Sequence, residues 1–131
     1  MSMDELARRV KEASLKLAAA GRDLKDRALA EIAKALEEKK EKIITANRED
    51  LARSEREHLP APLLKRLRFD EGKIAGVIEG IHSLIKLDDP VGKTLLATEL
   101  DDGLELYKVT CPIGVIGVIF ESRPDALVQI A

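Results

Sequence analysis

Cysteine occurs once in this 131-residue chain, tryptophan is absent, and the aromatics amount to one tyrosine and two phenylalanines. A single thiol, Cys111, cannot build an intramolecular disulfide framework and fits a reducing compartment. Aromatics at 2% against charged residues at 35% suit Ala/Leu/Lys/Glu-rich helices better than a β-rich core, so the first two thirds are expected to be helical. No apolar run approaches the roughly 20 residues of a membrane span. The opening MSMDE has neither the basic start nor the apolar core of a signal peptide, so no membrane partner and a cytoplasmic location are expected. An excess of one charge is missing too: 22 basic and 24 acidic residues leave a net charge of −2, with no global field to attract nucleic acid. His58 and His82 lack Cys, His or Asp partners at ligand spacing, so no metal site is expected. Internal repeats and low-complexity tracts are lacking as well.

What is present first is helical periodicity. Leu6, Val10, Ala13 and Leu17 recur at helical spacing between Asp4 and Ala20, with Ser2 and Glu5 as a capping box and Gly21 as the stop. A second helix is predicted from Asp23, burying Leu24, Ala28, Ile32, Ala35 and Leu36 and running through Ile43 and Ile44 toward Asn47. Its segment 37–42 reads as a solvated face with i,i+4 pairing. Arg48 to Glu57 reads as a separate short helix, and Pro60 and Pro62 open another through Leu63, Leu64 and Leu67. Ile74, Val77, Ile78, Ile81 and Ile85 mark a fifth helix between Asp70 and Leu87, whose Gly72, Gly76 and Gly80 either allow close packing or are tolerated costs. Asp88 to Gly92 breaks the helical pattern, and Thr94–Leu100 and Leu104–Thr110 form a hairpin turning at Gly103.

The chain then delivers its most specific stretch. Val115, Ile116, Val118, Ile119 and Phe120 form an apolar, β-branched run of the kind found in parallel strands covered on both faces. Glu121 to Asp125 is a polar turn at that strand's carboxyl end, where open α/β sheets bind ligands. Ser122 and Asp125 fit a capping pattern, Pro124 suits a first helical turn, and a helix is expected to begin over 126–131. The bland alternative is a packed β-α unit with no ligand. A lone βα unit cannot bury both strand faces, so the chain reads as a piece of a larger protein unless a second copy covers it. No G-x-G-x-x-G follows a strand, since Gly114 and Gly117 lie inside one.

The segment P-I-G-V-I-G-V-I-F-E-S-R-P-D-A-L, with Ile43–Leu51, Leu63–Leu67, Asp88–Gly92 and Asp102–Leu104, resembles glutamate-5-semialdehyde dehydrogenase, or gamma-glutamyl phosphate reductase, a branch of the aldehyde dehydrogenase superfamily. The resemblance runs over nearly the whole chain. It implies an α/β fold of which this chain holds a helical N-terminal region (1–90), a β-hairpin of possible oligomerisation strands (91–110) and the first strand and helix start of the dinucleotide-binding domain (111–131), truncated. Members are roughly three times as long. It also implies reduction of L-glutamyl 5-phosphate with NADPH to L-glutamate 5-semialdehyde in proline synthesis. A cysteine far downstream attacks the acyl phosphate and phosphate departs, so Cys111 reads as a small buried hydrophobe instead. The family further implies homo-oligomers.

By the same resemblance, Arg123 stands where many superfamily members carry an oxyanion-stabilising asparagine, and its guanidinium suits an oxyanion or an acyl phosphate. A salt bridge to Glu121 or Asp125 is the structural alternative. Phe120, Glu121 and Ser122 match the segment beside the nicotinamide, contacting it largely through backbone. Asp125 stands where a common bacterial pattern has asparagine and resembles the form in fused plant and animal enzymes, so its capping role is supported and a substrate role is not. This chain alone is expected to be catalytically silent. The alternative is a non-catalytic helical interaction module that pairs with itself or with a full-length enzyme.

Overall fold

The computed structural model describes residues 2–130. They form two compact units, neither continuous in sequence: residues 2–22 with Asp88–Gly117, and Asp23–Leu87 with 118–130.

The first unit contains α1 (Met3–Ala18) and an antiparallel hairpin of β1 (Thr94–Asp101) and β2 (Leu104–Val109). Ser2 caps α1 as expected, accepting from the Glu5 backbone N–H at 3.2 Å. None of the described residues of α1 is buried, and both strands are exposed along their length. At the hairpin turn Gly103 takes φ 76°, a left-handed conformation that a Cβ would strain. The open end is closed by Thr110, whose Oγ1 accepts from the Lys93 N–H at 2.9 Å and donates to the Pro90 carbonyl. Glu99 and Glu105 face each other in the register, and each turns its carboxylate to a donor: Glu99 to the Gly103 N–H at 3.3 Å, Glu105 to the Tyr107 hydroxyl. That hydrogen bond raises the Tyr107 pKa above its ordinary 10.0, because ionisation would destroy the donor. Its contribution is present below the unfolded pKa and lost as pH rises through the folded one. Tyr107 is the only tyrosine and there is no tryptophan, so ultraviolet titration reads this group alone. Glu105→Gln is expected to move its titration down toward the ordinary value; an unmoved curve would show that Glu105 does not hold the proton.

The second unit is built on α2 (Arg22–Arg56), α3 (Ala61–Leu67), α4 (Glu71–Ile85) and α5 (Pro124–Ile130). Its core gathers Ala33 and Ile44 from α2, Phe69, and Ile74, Val77 and Ile81 from α4, with Leu29, Leu36, Ile43, Ile78, Ile85 and Val128 packed around them. The α4 stripe is the one the sequence predicts, and Asp70 caps it by accepting from the Lys73 N–H at 3.1 Å. On α2 the expected stripe holds at Leu36, Ile43 and Ile44 but not in the first turns, where Leu24, Ala28 and Ile32 are exposed while Leu29 and Ala33 pack into the core. Alanine-rich helices carry little moment to distinguish adjacent faces, and the partner surface of α4 and Phe69 selects one.

The predicted break after Asn47 does not occur, and α2 runs unbroken over 35 residues to Arg56. Asn47 does not stop the helix because its side chain is committed elsewhere. Buried, it donates from Nδ2 to the Leu67 carbonyl at 2.9 Å and accepts at Oδ1 from the Phe69 N–H at 2.7 Å. It therefore pairs two backbone groups in the turn between α3 and α4. The helix ends nine residues later at Arg56, where the Leu59 N–H reaches the Ser54 carbonyl and the His58 N–H the Glu55 carbonyl, both at 3.0 Å. This is a Schellman closure with His58 at φ 57°, a position that glycine fills without strain. His58→Gly is expected to stabilise the chain by about 0.5–1 kcal/mol; a lower urea midpoint would mean that the imidazole contributes more than the strain costs.

Residues 115–120, expected as a buried strand, are an irregular segment with no ladder partner among the described residues, and Ile119 is fully exposed at 102%. A strand apolar on both faces needs strands beside it, and neither β1 nor β2 pairs with this segment. Cys111 is exposed on the same stretch rather than buried. Gly76 and Gly80 do not receive a close neighbour either, since a Cβ on each would meet nothing within 4 Å.

Candidate functional site

Within the second unit, α3, the turn after it, the first turn of α4 and the start of α5 surround an open groove of about 750 Å³. Lys65, Arg66, Arg68, Lys73 and Arg123 line it, with Glu55, Asp70 and Asp125 as the carboxylates, so cations outnumber anions. Pro60 begins α3, whose chain turns out at Arg68 with extended backbone before Asp70 caps α4. That tight passage sets Lys65, Arg66 and Arg68 beside Lys73 at one rim.

Arg123 enters the groove from the other segment. Ser122 before it has φ 54°, a left-handed conformation that is costly outside glycine, and Pro124 after it fixes its own φ. The chain direction at Arg123 is thus constrained on both sides. The local salt bridge weighed from the sequence does not form: among the described residues Arg123 pairs with neither Glu121 nor Asp125. Asp125 is engaged otherwise. Its Oδ1 accepts from the Ala126 N–H at 3.1 Å, and its Oδ2 lies 3.8 Å from the Lys73 ammonium. Lys65, Arg66 and Arg68 likewise make no ion pair among the described residues. Four cations without carboxylate partners in one concavity suit a ligand that carries phosphate or carboxylate oxygens.

Of the other expected site residues, Phe120 is 42% exposed, and Glu121 and Ser122 follow it in the same irregular stretch. Among the described residues no three His, Cys, Asp or Glu side chains gather as metal ligands, and no helix is long and apolar enough to cross a membrane. Lys65, Arg66, Arg68 and Lys73 escaped the sequence reading as site residues. The available signal was three cations in the four positions 65–68, directly before a helix-capping aspartate.

No family model matches the chain. Curated relatives do, along its whole length: it is 77% identical over 131 residues to the gamma-glutamyl phosphate reductase of Pelotomaculum thermopropionicum and 70% identical to that of Acetivibrio thermocellus. The chain spans about 30% of the length of these relatives. Two solved structures share the backbone. The gamma-glutamyl phosphate reductase of Thermotoga maritima superimposes with a TM-score of 0.91 at 35% identity, over 95% of this chain and 30% of that one. The Saccharomyces cerevisiae enzyme superimposes with a TM-score of 0.94 at 40% identity, over 99% of this chain and 33% of that one.

Proposed function

We infer, for a chain whose kinship by sequence and by backbone is with the gamma-glutamyl phosphate reductases, that it is the N-terminal part of such an oxidoreductase. The observation that carries this is 77% identity over all 131 residues of the chain. The whole protein then reduces L-glutamyl 5-phosphate to L-glutamate 5-semialdehyde with release of phosphate, in the cytoplasm, as an aldehyde-dehydrogenase-type homo-oligomer serving proline synthesis. A reductase of this kind takes a hydride from a nicotinamide cofactor, here proposed to be NADPH.

What this chain's own residues supply is charge and position. An acyl phosphate presents phosphate oxygens beside a carbonyl whose oxygen gains charge when the carbon is attacked. A guanidinium held at that place stabilises the developing charge more than the ground state, which is the condition for catalysis. Arg123 fits the role because no carboxylate of the described residues neutralises it and its backbone is fixed by Ser122 and Pro124. Phe120, Glu121 and Ser122 are proposed to pass along the nicotinamide through their backbone. The alternative of a stand-alone helical module is less well supported, since the match to the reductases covers the exposed apolar segment 113–120 as fully as the helices.

The test is to extend the chain to the length of its relatives and follow NADPH oxidation in the presence of L-glutamyl 5-phosphate. Activity in the extended protein and none in the 131-residue chain is expected. An extended, folded protein that leaves NADPH untouched with this substrate would overturn the reading.

A further inference from the structure

We propose that Lys73 and Asp125 are positioning residues that hold Arg123 in its working orientation. The inference rests on the reductase reading above and adds two residues to it.

Arg123 lies between two rigid joints, the left-handed Ser122 and the ring of Pro124, so its direction is inherited from the first turn of α5. That turn is itself a short element. α5 is seven residues long, too short to be stable alone, and its placement depends on what it docks against. α5 docks through Ala126, buried at 6%, and Val128, which packs against the core that holds α4. Apolar packing of this kind is non-directional, whereas a charged pair adds a directional tie.

The Lys73–Asp125 pair supplies that tie. Lys73 stands in the first turn of α4, anchored one residue from Ile74, which at 1% exposure is the most buried large side chain described. Its ammonium lies 3.8 Å from Asp125 Oδ2, while Oδ1 of the same carboxylate accepts from the Ala126 N–H. One carboxylate thus ties the start of α5 to its own backbone and to α4. The side chains are 35% and 18% exposed, so this pair is better shielded than ion pairs such as Lys34–Glu38 at 65% and 61%. The guanidinium two residues before Asp125 is left with no carboxylate of its own. Lys73 engages a carboxylate that the sequence offers as a partner for Arg123. The pair therefore both sets the helix and keeps Arg123 available to an anion in the groove.

The test is a mutant cycle in the full-length enzyme with L-glutamyl 5-phosphate and NADPH. Lys73→Met is expected to lower kcat by about tenfold with KM changed much less, because a misdirected guanidinium costs transition-state contact. The charge exchange Lys73→Asp with Asp125→Lys is expected to recover most of that loss. In an Arg123→Ala background, Lys73→Met is expected to cost almost nothing further, since its effect passes through Arg123. Circular dichroism on each variant ensures that folded proteins are compared, and a variant that does not fold is replaced by Lys73→Gln. An unchanged kcat in Lys73→Met, or a full tenfold loss persisting in the Arg123→Ala background, overturns the proposal while leaving the enzyme reading intact. A wild-type protein without activity overturns the enzyme reading instead, and the proposal with it.

Discussion

Replacing Arg123 by alanine in the full-length protein is expected to lower kcat with L-glutamyl 5-phosphate by about 10²–10³-fold, the usual effect of removing one preorganised oxyanion donor. Arg123→Lys is expected to recover part of the loss, since an ammonium keeps the charge but lacks the planar fork that grips two oxygens at once. Steady-state kinetics separate the possibilities. A fall confined to kcat assigns the guanidinium to the transition state, and a rise confined to KM assigns it to ground-state binding of the phosphate. Unchanged constants would remove Arg123 from the chemistry. The structure makes this a clean experiment, because Arg123 is exposed and makes no ion pair among the described residues. Its removal leaves no orphaned partner whose cost would be mistaken for catalysis.

The largest effect on stability is expected at Asn47. Asn47→Ala deletes both hydrogen bonds to the α3–α4 turn, and leaves the Leu67 carbonyl and the Phe69 N–H without a partner beside the core. Each unsatisfied group costs about 1–3 kcal/mol, and water reaches the Leu67 side of the turn, so a total loss of about 2–4 kcal/mol is expected. Urea unfolding followed by circular dichroism measures it. Asn47→Asp keeps an acceptor for the Phe69 N–H but no donor for Leu67, and is expected to fall between the two. A loss below about 0.5 kcal/mol for Asn47→Ala would show that the turn holds its shape without the clamp. Because Phe69, Asp70 and Lys73 follow that turn directly, slackening it also loosens one rim of the groove.

Asn47 shows where reading the chain alone stops. As a local signal an asparagine after Ile43 and Ile44 is a helix end, because its side chain competes for nearby backbone groups. In the fold those hydrogen bonds go to residues 20 and 22 positions away, and the helix runs on. The Arg48–Glu57 segment was legible as helix, but its continuity with what precedes it was not. His58 was equally opaque, since the mark of a helix stop is glycine and the closure here uses a histidine. The groove cations were visible as a basic run, yet nothing local joins residues 65–73 to Arg123, fifty positions on. Only the docking of α5 on α4 brings them together.

The elements that repeat or punctuate were determined by the sequence itself. The α4 stripe, the caps at Ser2 and Asp70, the proline start of α3 and the Gly103 turn rest on interactions within a few residues, so local spacing is enough to specify them. The long apolar-and-turn segment through Asp125 likewise carried the kinship to the reductases. Tertiary structure decided everything that depends on a distant partner: the buried face of α2, the partners of Asn47, the pairing of Asp125 with Lys73 rather than Arg123, and the unpaired state of residues 115–120. A helix stripe is satisfied by its own periodicity, whereas an ion pair or a two-faced strand is defined by what stands opposite it. Which charge meets which, and whether a strand finds a neighbour, is settled by long-range packing.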